Sequence, residues 1–224
     1  MSKYASQVII SFLSGAGDST IINGTNAIIT KGNSFGVPSY SFIANDSTPP
    51  AIAQVVSVTM APWRLYLRGH GSHSRQLLGP CRAEDVAYFL NHCGLSANMP
   101  DVISVTGCKL GLGVNQSKTE VHYQASHDSF VGRLHFLLGR TYNIYTTMHG
   151  RTMNNSVIKQ GPNTGRKRTR HPSGNLANHR PFAKVTFTWD SALNQQVKFS
   201  YEEMDIDADD VDAMDIDVDS MDVD

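Results

Sequence analysis

The sequence predicts an α/β fold with a largely parallel central sheet, and three observations carry that prediction. Apolar, β-branched or aromatic runs of strand length end abruptly at glycine: Trp63 to Arg68 stops at Gly69-His70-Gly71, and Val102 to Thr106 stops at Gly107-Cys108. Between them lies a segment of helical period, with Val86, Phe89, Leu90 and Cys93 at i, i+3, i+4 and i+7 and a terminating Gly94. A second strand–helix alternation follows in residues 126–148, and alternating strands and helices build parallel sheets. The 224 residues suit one domain, residues 1–201, followed by a compositionally distinct tail, residues 202–224.

In chain order, Val8 to Leu13 reads as a buried first strand that ends in the turn Ser14-Gly15-Ala16-Gly17-Asp18. No Gly-Lys-Ser/Thr follows, so this turn is not a phosphate loop. Ile21-Ile22 and Ala27 to Thr30 flank Asn23-Gly24, which reads as a hairpin. Residues 31–50, rich in Gly, Ser, Asn and Pro, read as a long loop, and Ala53 to Met60 as a second apolar strand. The first helix spans Pro80 to Gly94. A second helix spans Ser126 to Gly139, with Ser126 as N-cap and Phe130, Leu134, Leu137 and Leu138 on one face. Tyr142 to Met148 is then a strand ended by His149-Gly150. Met153 to Pro181 reads as a mobile basic loop around Arg166-Lys167-Arg168-Thr169-Arg170-His171. Ala183 to Trp189 and Gln196 to Tyr201 make a hairpin turning at Asp190 to Asn194.

The net charge of -1 hides a segregation. Of 20 acids, 12 lie from Glu202 onward, while residues 1–201 hold all 19 Lys and Arg against 8 acids. A basic domain with an acidic tail implies an anionic ligand, an anionic partner, or the tail itself as partner. Ten aspartates in residues 204–224 repel one another and predict a disordered segment, able to add as a strand to a basic edge. The missing loop Gly and closing Glu exclude an EF-hand. Three cysteines without Cys-x-x-Cys spacing point to a reducing compartment rather than a disulfide scaffold. No apolar run reaches the roughly 20 residues of a membrane span, and the N-terminus has no signal-peptide core. The expected location is therefore cytoplasmic, or a host cytosol reached by export without a classical signal peptide. The basic run contains no aromatic residue, which argues against base stacking and so against nucleic acid as partner.

The chemistry concentrates in His70 and Cys108, each at the end of a strand. In an open α/β sheet, sites collect at the carboxyl ends of neighbouring strands. A thiol is weakly ionised at neutral pH, and a nearby imidazole supplies the missing base. Cys93 falls on the core face of the first helix. Cys81 lies near that helix's N-terminus, where a thiolate is favoured, but it has no His-bearing strand of its own. His149-Gly150 is a rival to His70-Gly71.

Arg68-Gly69-His70-Gly71 together with Thr106-Gly107-Cys108-Lys109-Leu110-Gly111 resembles the caspase-like cysteine peptidases, most closely the self-processing protease domains of large bacterial toxins. The resemblance covers roughly residues 55–150. It implies a three-layer fold with a mostly parallel sheet flanked by helices and a C-terminal β-hairpin. It implies a cysteine endopeptidase acting on a protein or peptide, with Cys108 as nucleophile, His70 as general acid/base and the N–H groups of Gly71 and Cys108 at the oxyanion. The order of His strand before Cys strand selects His70 over His149. The family can work as a His-Cys dyad, and the upstream loop with Asn45 and Asp46 is where a third, orienting residue could come from. The toxin branch also implies inositol hexakisphosphate or another polyanion as activator, held by the hairpin and basic residues. Arg166, Lys167, Arg168, Arg170, Lys184 and Lys198 are the candidates, and no metal or other cofactor is required. A caspase-type preference for Asp would need an Arg in the primary pocket, such as Arg64, Arg68 or Arg151. The competing reading is a non-enzymatic basic module that binds nucleic acid or an acidic partner through its basic loop.

Overall fold

The computed structural model describes residues 3–15, 17–113, 127–152, 154–161, 164–165, 167–170 and 184–200. The elements run β1 (Ser6–Phe12), α1 (Ser19–Ser34), β2 (Ser39–Ile43), α2 (Pro49–Val58), β3 (Trp63–Gly69), β4 (Gly71–Ser72), β5 (Leu77–Leu78) and α3 (Ala83–His92). They continue with β6 (Val102–Thr106), α4 (Phe130–Tyr142), β7 (Thr147–Arg151), β8 (Asn154–Val157), β9 (Lys167–Arg170), β10 (Lys184–Trp189) and β11 (Gln195–Ser200). The α/β class and the mostly parallel sheet agree with the sequence. Seven strands lie in the order β11-β10-β7-β6-β3-β1-β2. The five from β7 to β2 are parallel, and the β10–β11 hairpin adds antiparallel at one edge.

Alternation along the strands gives the sheet two unlike faces. Val8, Ile10, Phe12, Leu65, Leu67, Ile103, Val105, Met148, Val185 and Phe187 point to one side. There they form the main core with Ile52 and Val56 of α2, Val86 and Leu90 of α3, and Phe130, Leu134 and Leu138 of α4. The opposite face is largely polar. A smaller cluster of Ile9, Tyr66, Ala27, Ile28 and Val157 packs it beneath α1 and β8. The layers are thus α1 with the β8–β9 hairpin, the sheet, and α2, α3 and α4.

Two elements correct the sequence reading. Residues 21–30 are not a hairpin but the middle of α1. Asp18 caps that helix by accepting the Ile21 N–H at 3.2 Å, and Ile21, Thr25, Ile28 and Gly32 recur on its buried side. Asn23-Gly24 is no turn here. A methyl at Gly24 would overlap the Arg68 guanidinium, and one at Gly32 would overlap the Gln7 and Ser39 side chains. The glycines let the helix approach a polar sheet surface. Residues 53–58 belong to helix α2, not to a strand, because Pro49 and Pro50 sit at its first positions, where proline's fixed φ favours helix. Ile52 and Val56 give it a buried stripe, and Asn98 Nδ2 donates to the Val56 and Thr59 carbonyls at its end.

Smaller shifts follow the same logic. The supposed loop over residues 31–50 contains edge strand β2. Helix α4 starts from Ser129, whose hydroxyl accepts the Gly132 N–H, and ends at left-handed Asn143; Ser126 lies outside the described residues. Strand β7 therefore begins at Thr147, and His149-Gly150 lies inside it rather than ending it. The basic segment 167–170 is strand β9 paired with β8, not a loop. Tail residues 202–224 lie outside the described residues.

His135 of α4 is fully buried between strands and helix. Its ring stacks on Trp189 with centroids 4.6 Å apart. Nε2 donates to the Thr146 carbonyl at 3.0 Å and Nδ1 accepts from Gln195 Nε2 at 2.8 Å, which uses both nitrogens of a neutral ring. Burial pushes its pKa down to about 4 from the ordinary 6.5. Because the unfolded chain takes up this proton first, the stabilisation is complete above about pH 6.5 and is lost as pH falls towards about 4. The loss at this one site amounts to about 3 kcal/mol. Urea unfolding across that interval should show the decline, and His135→Phe should flatten it while lowering stability near neutral pH.

Candidate functional site

The crevice outside the carboxyl ends of β1, β3 and β6 is the natural place for chemistry, since strand order reverses between β1 and β3. His70 follows β3 and Cys108 follows β6. These strands pair directly, with Arg68 opposite Thr106, so the two residues leave the sheet side by side. Gly71 lies so close to Cys108 that a methyl on its Cα would overlap the Cys108 peptide nitrogen and oxygen. Gly71 therefore brings the His70 segment against the Cys108 backbone, where both predicted oxyanion residues meet. Cys108 is half-buried, and the His70 side chain is 55% exposed.

The residue beside His70 is neither Asn45 nor Asp46 but Asp18, through its carboxylate. Its Oδ1 lies 3.2 Å from His70 Nε2 and also accepts the Ile21 N–H, while its side chain is only 8% exposed. Asn45 instead closes a local turn, accepting the Ser47 N–H and hydroxyl at 2.9 and 2.7 Å. The Asp18 carboxylate accepts a hydrogen bond from Nε2–H, which leaves Nδ1 as the lone-pair nitrogen of a neutral His70 ring. The signal for Asp18 in the sequence was its N-cap position before a helical period.

Gln76, in the polar segment that follows His70, is a clamp. With a left-handed φ of 51°, it donates from Nε2 to the His73 carbonyl at 2.7 Å and to the Leu112 carbonyl at 3.0 Å, and its Oε1 accepts the Phe130 N–H. His73 Nε2 reaches the Gly113 carbonyl at 2.9 Å. The β4–β5 hairpin is thus tied to the loop that carries Cys108 and to the start of α4. At the far side of that loop, the Gly111 N–H donates to the Arg151 carbonyl at 2.8 Å.

The other thiols sit in different surroundings. Burial pushes the Cys93 thiol up to about 12, as expected of a core residue. Cys81 is half-buried, and its pKa is raised first by burial and then by Asp85, so the helix N-terminus does not yield a thiolate there. Cys81 and Pro80 line a cleft of about 940 Å³ with Phe12, Leu13, Tyr88 and Phe89. The Gly79 N–H that precedes them donates to the His70 carbonyl at 2.7 Å, but neither His70 nor Cys108 is among the residues that line this cleft. Asp46, Glu84 and Asp85 also line it, with no Lys or Arg among the lining residues.

Of the suggested pocket arginines, Arg64 is buried, its guanidinium 4.0 Å over the Tyr4 ring, and Arg68 is buried beneath α1. His149 makes its Nδ1 contact with Thr186 Oγ1 at 3.0 Å, within the sheet's polar face. Strand register puts Lys184 opposite Arg151 and Lys198 opposite Thr186, and so on the same face as His149. Lys184 is buried and Lys198 exposed. Lys167, Arg168 and Arg170 fall on β9, and Arg166 lies outside the described residues. Among the described residues there is no group of three or more His, Cys, Asp or Glu side chains able to hold a metal, and no helix is long and apolar enough to cross a membrane. Comparisons with protein-family models, with curated protein sequences and with solved structures find no match to this chain.

The contact of Gly71 with Cys108 makes a direct test of the site. Gly71→Ala should leave the fold in place but force the Cys108 peptide to move. Alkylation of Cys108, followed by mass spectrometry, should change markedly, and any Cys108-dependent turnover should fall about a hundredfold.

Proposed function

We propose that the chain is a caspase-like cysteine endopeptidase in which Cys108 is the nucleophile and His70 the general acid/base, with Asp18 orienting His70. The observation that carries this reading is the packing of Gly71 on the Cys108 peptide, with His70 next in the chain and held by a buried carboxylate. The mostly parallel sheet, the His strand beside the Cys strand and the C-terminal hairpin are compatible with the caspase-like arrangement.

In the proposed reaction the Cys108 thiol gives its proton to His70 Nδ1, and Sγ bonds to the scissile carbonyl carbon. The carbonyl electron pair moves to oxygen, where the N–H groups of Gly71 and Cys108 stabilise it. Collapse of the tetrahedral adduct breaks the C–N bond, and His70 returns the proton to the leaving amine. Water, deprotonated by His70, then releases the acyl group and restores the thiol. The buried positions of Arg64 and Arg68 leave Arg151, whose carbonyl accepts the Gly111 N–H, as the pocket arginine that a preference for Asp would need.

Cys108→Ala and His70→Ala should each abolish proteolysis of a mixed peptide library while melting temperature is kept. A cysteine-directed electrophile should label Cys108 stoichiometrically, and His70→Ala should suppress it. Equal labelling of Cys81, Cys93 and Cys108, indifferent to His70, would sink the peptidase reading in favour of the non-enzymatic basic module.

The basic surplus of residues 1–201 and the exposed Lys198 support a polyanion, such as inositol hexakisphosphate, as activator. Ligand that binds only the folded chain raises its melting temperature by mass action. A shift of several degrees at millimolar ligand and low salt is expected, weakening as salt rises. No shift under those conditions would leave the basic residues as a targeting or partner surface.

A further inference from the structure

The cleft that Cys81 lines, away from Cys108, has the build of a small-molecule site. Phe12 and Leu13 reach it from the carboxyl end of β1, and Ala44, Asn45 and Asp46 from the carboxyl end of β2. Ligands of open α/β sheets collect at such strand ends. Its volume of about 940 Å³ falls within the range of small-molecule sites, roughly 300–1,000 Å³. Helix α3 supplies Tyr88, Phe89 and His92, and Tyr142 at the end of α4 adds a further ring. Part of this lining is fixed, since Phe12 is buried and meets the Phe89 ring edge-on at 5.7 Å. Tyr88 is 60% exposed instead, its ring lying against that of His92 at 4.2 Å. An exposed tyrosine at the wall of a cleft can receive a cation on its π-face.

Three carboxylates set the charge of the cleft, and they are unequally engaged. Glu84 is paired with Arg133, and Asp85 accepts the Arg82 N–H through Oδ2 at 2.9 Å. Asp46 makes no hydrogen bond and no ion pair among the described residues. It is exposed in a turn held by its neighbours, where Thr48 Oγ1 accepts the Asn45 N–H at 3.1 Å. His92 Nδ1 donates to the Tyr88 carbonyl at 2.9 Å, so Nε2 of the neutral ring keeps a lone pair for an N–H donor. No Lys or Arg stands among the described lining residues. An anion would therefore meet only repulsion, whereas a cation meets carboxylates and aromatic rings.

We propose that this cleft binds a small organic cation, a primary amine carried on an aromatic body. The ring packs among Tyr88, Phe89 and Tyr142, and the ammonium faces Asp46. Because neither His70 nor Cys108 lines the cleft, the inference goes beyond the peptidase reading and does not depend on it.

The test sets tryptamine against tryptophol and indoleacetate, which share the indole ring and carry a positive charge, no charge and a negative charge. Binding to the full chain is measured by calorimetry at low salt and neutral pH. The place of binding is read from N-ethylmaleimide labelling of each cysteine by mass spectrometry, since Cys81 lines the cleft and Cys108 does not. Tryptamine should bind about fivefold tighter than tryptophol, the scale of one exposed ion pair, and indoleacetate should bind more weakly than either. Saturating tryptamine should slow the labelling of Cys81 and leave that of Cys108 unchanged. Asp46→Asn should remove most of the advantage of tryptamine while leaving tryptophol as it was, and Tyr88→Ala should weaken both. Asp46 and Tyr88 are exposed, so the melting temperature should hold in both variants. Equal binding of the three indoles would overturn the proposal, as would the absence of saturable tryptamine binding up to millimolar concentration. An advantage of tryptamine that survives Asp46→Asn combined with Glu84→Gln would overturn it too, and so would protection that falls on Cys108 instead of Cys81. None of these results bears on Cys108 turnover, so the peptidase reading stands or falls by its own test.

Discussion

The burial of Arg68 is the constraint on which the surrounding structure depends. A guanidinium with 3% of its surface exposed sits in the last full rung of β3, where an α/β sheet ordinarily carries an aliphatic residue. Burying a charge costs several kcal/mol unless geometry and hydrogen bonds compensate it. Each neighbour of Arg68 serves that compensation. Thr25, itself hydrogen-bonded to Ser11, supplies an oxygen, and Gly24 gives the volume. Helix α1 accordingly carries Gly, Ser, Asn and Thr at positions where an ordinary sheet-covering helix carries Leu or Ala. Its sequence is poor for a helix because it is matched to a polar surface.

That polar surface explains the asymmetry of the layers. One face of the sheet is aliphatic and covered by α2, α3 and α4, which form the main core. The other presents Arg64, Tyr66, Arg68, Ser104, Thr106 and His149, and α1 with the β8–β9 hairpin covers it. Stability comes mainly from the first face, at about 25 cal/mol per Å² of apolar surface removed from water. The second face fixes orientations. The candidate site lies where the two meet, at the carboxyl ends of β3 and β6. There His70 is supported from the polar side by Asp18.

What the sequence made legible follows from the range of each interaction. His70 and Cys108 each end an apolar run, a local signal, and the parallel pairing of their strands follows from the helix between them. Helix α3 was legible because its periodicity and Gly94 lie within a single window. Helices α1 and α2 were misread because their decisive features outcompete a composition that favours strands. Those features are one capping aspartate, two glycines matched to side chains on other strands, and two prolines at a helix start. The pairing of Asp18 with His70 and the clamp made by Gln76 could not be read from the sequence. Asp18 meets a residue 52 positions away, and Gln76 meets one 54 positions away. No local pattern announces such a pairing.

The Asp18–His70 pair also explains why a surface imidazole can have a defined orientation. An exposed ion pair contributes little to stability, because water screens it and both side chains lose rotamer freedom. Here the freedom is lost on one side only. Asp18 is already fixed by the N-terminus of α1 and by its burial, so contact with His70 immobilises a single ring. Preorganised groups are worth more to catalysis than to folding, since they cost no reorganisation when charge moves. The outer edge of His70 remains open to solvent, and Gly71 holds the thiol-bearing peptide immediately beside it. The arrangement is rigid below and accessible above.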